Sequence, residues 1–105
     1  MQTILRENSG QCGLSDFSLH SIGVITFRGR RVQAYRTFLL DTLPGVSLLH
    51  LDKHGYPAVL RAHERLGLDF DDAYQFALAQ HHGLTLVTQD HDFDRVKQEI
   101  SVRFL

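Results

Sequence analysis

The sequence predicts an α/β fold in three layers, with helices on both faces of a parallel sheet. Three observations predict it. Residues 68–94, LDFDDAYQFALAQHHGLTLVTQDHDFD, read as helix, tight turn, strand and acidic loop. Leu84 to Thr88 is a short apolar run without polar alternation, the pattern of a parallel strand covered on both sides. Helical and strand patterns alternate along the chain, which lays strands side by side with helices between them.

Taken in order, Met1 to Gly10 leaves two readings open. Thr3-Ile4-Leu5 is either a short strand or the last turn of a helix, and Ser9-Gly10 marks a turn. Cys12-Gly13-Leu14 is a strand of minimal length. Ser15 caps a helix from Asp16 to about Phe27, with Phe17, Ile22, Val24 and Ile25 as its apolar stripe. Arg28-Gly29-Arg30-Arg31 breaks it. A second amphipathic helix, from Val32 to about Leu43, carries Val32, Tyr35, Phe38, Leu39 and Thr42 at helical spacing and ends at Pro44-Gly45. Val46 to Leu51 is a strand. Pro57 suits the first turn of a helix from Tyr56 to Leu66, ended by Gly67. Asp69 caps a helix from Phe70 to His82, with Asp71 and Asp72 in the first turn, where the positive helix end favours carboxylates. Gly83 stops it. Its Ala73, Tyr74, Phe76, Ala77, Leu78 and Ala79 are apolar almost all round, so it is buried on more than one side. Arg95 to Glu99 forms a short polar turn, and Ile100 to Phe104 alternates like an edge strand.

A length of 105 residues predicts one domain, residues 1–105. The net charge of −1 excludes a global basic field, so a nucleic-acid partner needs a local patch. Arg28, Arg30, Arg31 and Arg36 form one basic cluster, and Arg61 and Arg65 another. Such groups contact phosphates without reading sequence, bind an acidic or amphipathic protein segment, or stand as a solvated basic loop. Cys12 is alone, which excludes a disulfide framework and fits a cytoplasmic setting. Met1 to Gly10 is too polar for a signal peptide, and no apolar run reaches membrane length.

The chemistry concentrates past the last buried strand. Asp90 follows the carboxyl end of that strand, where open α/β sheets bind ligands. Asp90, Asp92 and Asp94 follow one another at alternate positions, and Asp72 opens the preceding helix. Bare carboxylates about 4 Å apart repel by roughly 1 to 4 kcal/mol per pair. A hard cation reverses that sign, and oxygen ligands select Mg²⁺ or Mn²⁺. The plainer alternative is that Asp69, Asp71 and Asp72 cap a helix, at about 0.3 to 1 kcal/mol each, while Asp90 to Asp94 form a solvated loop. His81 and His82 read as cations at a helix end rather than as metal ligands.

Three stretches carry a resemblance. Ser15-Asp16-Phe17-Ser18-Leu19-His20-Ser21-Ile22-Gly23, Asp72-Ala73 early in an alanine-rich helix, and Leu86-Val87-Thr88-Gln89-Asp90-His91-Asp92-Phe93 resemble the PIN domain. That family includes the toxins of many prokaryotic toxin–antitoxin pairs. The similarity runs from about Gly13 to Leu105. It implies a PIN-like three-layer α/β/α fold and a toxin-like, Mg²⁺- or Mn²⁺-dependent endoribonuclease. It also implies RNA as substrate, an antitoxin-type protein partner and a homo-oligomer such as a dimer. By the resemblance, Asp16 matches the family's second acid, Asp72 the third and Asp90 the fourth, and these three are the expected catalytic set. Asp92 matches a less regular acid that joins them on the metal, and Thr88 a supporting hydroxyl. Arg28, Arg30 and Arg31 are the expected RNA-binding residues.

The family begins with a strand carrying its first acid, in a pattern like Asp-Thr-Asn. Ile4-Leu5-Arg6-Glu7-Asn8 echoes that pattern with Arg6 where the acid belongs. Met1 to Gln11 is read as the remnant of the family's first helix, so the domain is expected to be N-terminally truncated. The middle of the sheet is then missing a strand that a partner chain could supply. A second expectation follows: a catalytically impaired PIN-like module that acts by binding or assembly.

Overall fold

The succession of strands and helices follows the sequence pattern closely, with one reversal near the start. The computed structural model describes residues 4–6 and 12–105. Strands β1 (Ile4–Arg6), β2 (Cys12–Ser15), β3 (Ser47–Leu49), β4 (Thr85–Thr88) and β5 (Val102–Phe104) form one sheet in the order β3-β2-β1-β4-β5. β2, β3, β4 and β5 share one direction, whereas β1 lies between β2 and β4 and runs against both. The sheet is thus mixed and mostly parallel, which corrects the all-parallel expectation at its central strand.

Of the two readings for the start of the chain, Ile4–Arg6 takes the strand. The helix-remnant reading is corrected there, and so is the open gap, because the chain fills its own central slot. The physical reason lies in what that slot offers. β2 and β4 each present a row of backbone donors and acceptors that need partners. Leu5, opposite Gly13 and Leu86, is fully buried between them. Burying a leucine contributes about 1.5 to 3 kcal/mol. The turn expected at Ser9-Gly10, and the rest of the Met1–Gln11 reading, lie outside the described residues.

The helices are α1 (Asp16–Arg28), α2 (Val32–Thr37), α3 (Tyr56–Leu66) and α4 (Phe70–His82). Ser15 caps α1 by accepting from the Ser18 N–H at 3.0 Å, and Asp69 caps α4 by accepting from the Asp72 N–H at 2.9 Å. Gly67 and Gly83 end α3 and α4 in the left-handed conformation, with φ of 71° and 64°. The α1–α2 break is built differently, because Arg30 and not Gly29 takes the positive φ, 58°. After α2 the chain widens into a π turn at Phe38–Thr42 and closes in a 3-10 turn at Leu43–Gly45. Pro44 accounts for this, since its ring crowds the carbonyl four residues back and it has no N–H to donate.

The core lies around α4. Tyr74, Phe76 and Leu78 of α4 are buried together with Val59 and Ala62 of α3, Leu86 of β4, and Phe93 and Val96 of the turn after β4. Neither α1 nor α2 contributes a fully buried residue. Among the described residues, no helix is long and apolar enough to cross a membrane.

Candidate active site

β2 ends at Ser15 and β4 at Thr88, and because the two strands share a direction both ends lie at one edge of the sheet. Each hands the chain to an acid. Asp16 opens α1, and Asp90 follows β4. The amino end of α4 is drawn to the same edge by Gln75, whose Nε2 donates to Ser15 Oγ and to Ser18 Oγ, both at 2.9 Å. Asp72 comes with it. Thr88 is fully buried, and its Oγ1 accepts from the Asp90 N–H at 3.0 Å. Asp90 Oδ1 accepts from the Asp92 N–H at 2.9 Å and so caps the 3-10 turn His91–Val96. Phe93 and Val96, both buried, anchor that turn.

The outcome is a tight acidic group. Asp72, Asp90 and Asp92 each offer a carboxylate oxygen, and these oxygens lie within 4.8 Å of one another. Asp72 and Asp90 are half-buried, and Asp92 is exposed. Among the described residues no basic side chain pairs with any of the three; His91 and Lys97 pair with Asp94 instead. Burial first, and then the charges of Asp69, Asp90, Asp92 and Asp71, push the Asp72 carboxyl from 3.8 up to about 7. The bare group therefore competes for a proton near neutral pH. A hard divalent cation would neutralise the same charge, and an all-oxygen donor set fits Mg²⁺ or Mn²⁺. Asp72 and Asp90, with Asp69 and Asp71, line a cleft of about 620 Å³ whose other wall is α1, through Phe17, Ser18, Ser21 and Ile25.

Asp16 stands apart from that group. Its side chain is exposed, and its Oδ1 accepts from the Tyr74 hydroxyl at 2.7 Å and from the Phe17 N–H at 2.8 Å. Tyr74 also accepts from the Leu51 N–H at 3.1 Å. Burial holds its phenol well above the ordinary range, so it stays a donor to Asp16. Arg28, Arg30 and Arg31 are exposed at the far end of α1, about 18 Å of helix away from Asp16. Arg65, of the second basic cluster, is neutralised by a two-pronged pair with Glu99 at 2.7 and 2.9 Å.

Two residues that position the site, Gln75 and Tyr74, were not singled out from sequence. The signal for Gln75 was present. A polar residue inside an otherwise apolar helix needs a buried partner, and Gln75 is 6% exposed. Its Oε1 has no hydrogen-bond partner among the described residues. Among the described residues, β1 brings no carboxylate to the acidic edge. It runs backwards, so Arg6 lies opposite Cys12 and Thr85, at the other edge of the sheet.

An α/β sheet that gathers aspartates past its strand ends, beside a cleft, defines a class of candidate divalent-metal sites. The PIN domain family model matches residues 5–99, nearly the whole chain, and the chain belongs to the PIN domain family. PIN domains generally use divalent metal ions. The match begins in β1, ahead of the stretch where the resemblance was read. No curated protein and no solved structure matches the chain.

Proposed function

We propose that this chain, as a single PIN-like domain, is a metal-dependent endoribonuclease that hydrolyses RNA phosphodiesters at the Asp72–Asp90–Asp92 edge. One observation carries the reading: three carboxylate oxygens within 4.8 Å, with no basic side chain paired to them among the described residues. Asp72, Asp90 and Asp92 hold Mg²⁺ or Mn²⁺. When bound, the ion supplies a more acidic water and neutralises charge that builds on the phosphate. Thr88 fixes the start of the acidic loop through the Asp90 N–H. Asp16, oriented by Tyr74, acts from outside the group by directing the attacking water. Arg28, Arg30 and Arg31, at the far end of α1, contact RNA phosphates.

The finer part of the reading is a toxin-like enzyme with an antitoxin-type partner or a dimeric assembly. The exposed Ile25, Phe27, Val32 and Leu40 of the α1–α2 region support a protein partner there. A second reading is a PIN-like binding module without cleavage. It is favoured by β1, which brings Arg6 to the wrong edge and no acid to the right one.

The experiment is cleavage of single-stranded RNA by the full chain in Mn²⁺ or Mg²⁺, against the same chain with Asp90→Asn. The enzyme reading expects metal-dependent cleavage that falls by a hundredfold or more in the variant, about 2.7 kcal/mol or more of barrier. Absence of cleavage in either metal leaves the binding module, and equal cleavage by the variant removes Asp90 from the reaction.

A further inference from the structure

The cleft beside the acids holds no cationic side chain. Its lining includes Asp69, Asp71, Asp72 and Asp90, but no lysine, arginine or histidine. A phosphate that reaches the acidic edge therefore has carboxylates on one wall and needs hydrogen-bond donors on the other. The lining side chains that carry an N–H or O–H are Ser18 and Ser21 of α1 and Gln75 of α4. Ser18 and Ser21 are three residues apart, so they share one face of α1.

The bonds already made decide which donor is free. Ser15 Oγ accepts from the Ser18 N–H at 3.0 Å and from Gln75 Nε2 at 2.9 Å. Both of its lone pairs are then filled. The 3.0 Å contact between the two hydroxyls is therefore a bond that Ser15 donates and Ser18 accepts. Gln75 Nε2 also donates to Ser18 Oγ, at 2.9 Å. Ser18 Oγ is thus filled in the same way, and its own proton has one direction left. Among the described residues no acceptor takes that proton. Ser15 and Gln75, behind it, are buried, whereas Ser18 is partly exposed on the cleft. The remaining corner of the oxygen accordingly opens on the cleft. Ser21 has no such partners among the described residues, so nothing aims its hydroxyl.

A hydroxyl with both lone pairs taken cannot ligate a metal ion. It can only donate, and each bond it accepts polarises its O–H further. That is the chemistry of an oxyanion contact. We propose that Ser18, aimed by Ser15 and Gln75, donates to a nonbridging oxygen of the RNA phosphate held at the Asp72–Asp90–Asp92 edge. The proposal rests on the ribonuclease reading for what brings the phosphate there.

The test measures binding of a labelled RNA oligonucleotide to the full chain in Ca²⁺, by fluorescence anisotropy. Ser18→Ala is expected to raise Kd on the order of tenfold, the scale of one lost hydrogen bond to a charged group. Ser18→Thr keeps the hydroxyl and is expected to bind like the parent. Ser21→Ala is expected to have a smaller effect. Mn²⁺ affinity, titrated by calorimetry without RNA, is expected to be the same in all four chains. A strand with methylphosphonate linkages, whose phosphorus lacks the anionic oxygen, is expected to bind the parent and Ser18→Ala alike. Equal RNA affinity of Ser18→Ala and the parent overturns the proposal, as does a parent that binds no RNA. So does a parallel loss of Mn²⁺ affinity, which would make Ser18 a support for the acids, or a Ser18→Ala loss that persists against the methylphosphonate strand. Cleavage is scored separately. Ser18-dependent RNA binding without metal-dependent cleavage sinks the ribonuclease reading and keeps the donor; metal-dependent cleavage indifferent to Ser18 does the reverse.

Discussion

α1 and α4 start alike and end differently. Each has thirteen residues, an oxygen-bearing cap and an aspartate in its first turn. Yet α4 buries every residue from Ala73 to Ala79, and α1 buries none. Side-chain type does not explain this, since α1 carries Phe17, Ile22, Val24, Ile25 and Phe27. Neighbours do. α4 has α3 and β4 against it, while α1 meets β2 and the short α2. Ile25 and Phe27 remain 69% and 59% exposed. The cleft therefore has one deeply packed wall, which carries Asp72, and one sparsely packed wall. Gln75 and Tyr74, both on α4, grip the first turn of α1 across it.

The sharpest way to break that contrast is to cut one large side chain from each helix. Phe76→Ala in α4 should cost about 3 to 5 kcal/mol, enough to lower the denaturation midpoint severely. Ile25→Ala in α1 should stay within about 0.5 kcal/mol. Similar losses in the two variants would mean that α1 is as well packed as α4 in solution.

A smaller effect tests the grip. Gln75→Leu leaves Ser15 and Ser18 without their amide donor and should cost about 1 to 3 kcal/mol. Amide hydrogen exchange should show protection lost in the first turn of α1 and kept in the middle of α4. Uniform loss over both helices would show that Gln75 supports the core and not the junction.

The smallest effect concerns charge. The Asp72 carboxyl is raised to about 7 in the folded chain by burial and then by Asp69, Asp90, Asp92 and Asp71. A group raised on folding contributes stability that is full below its unfolded pKa, near 3.8, and lost as pH rises through about 7. Asp72→Asn should therefore stabilise the metal-free chain at pH 7.5 by about 1 kcal/mol, after allowance for solvent screening. Below pH 4 the gain should vanish. Added Mn²⁺ should reverse the order, raising the melting temperature of the parent chain and not of the variant. A variant less stable than its parent in EDTA at pH 7.5 would contradict the repulsion.

What the sequence determined alone is what neighbouring residues decide among themselves. The bounds of α3 and α4, the caps at Ser15 and Asp69 and the stops at Gly67 and Gly83 all come out as read. Each depends on groups within about one helical turn. The approach of Asp90 and Asp92 was also legible, because the loop that bends them together follows directly from β4. The direction of β1 was not. A strand of three residues carries no mark of its polarity, and here two flanking strands far along the chain impose it. Nor could local pattern place Asp16, whose carboxylate is taken by Tyr74, 58 residues away, while Asp72 and Asp92 meet at Asp90. Burial of α4 and exposure of α1 were likewise decided by which elements reached each helix, and only tertiary packing settles that.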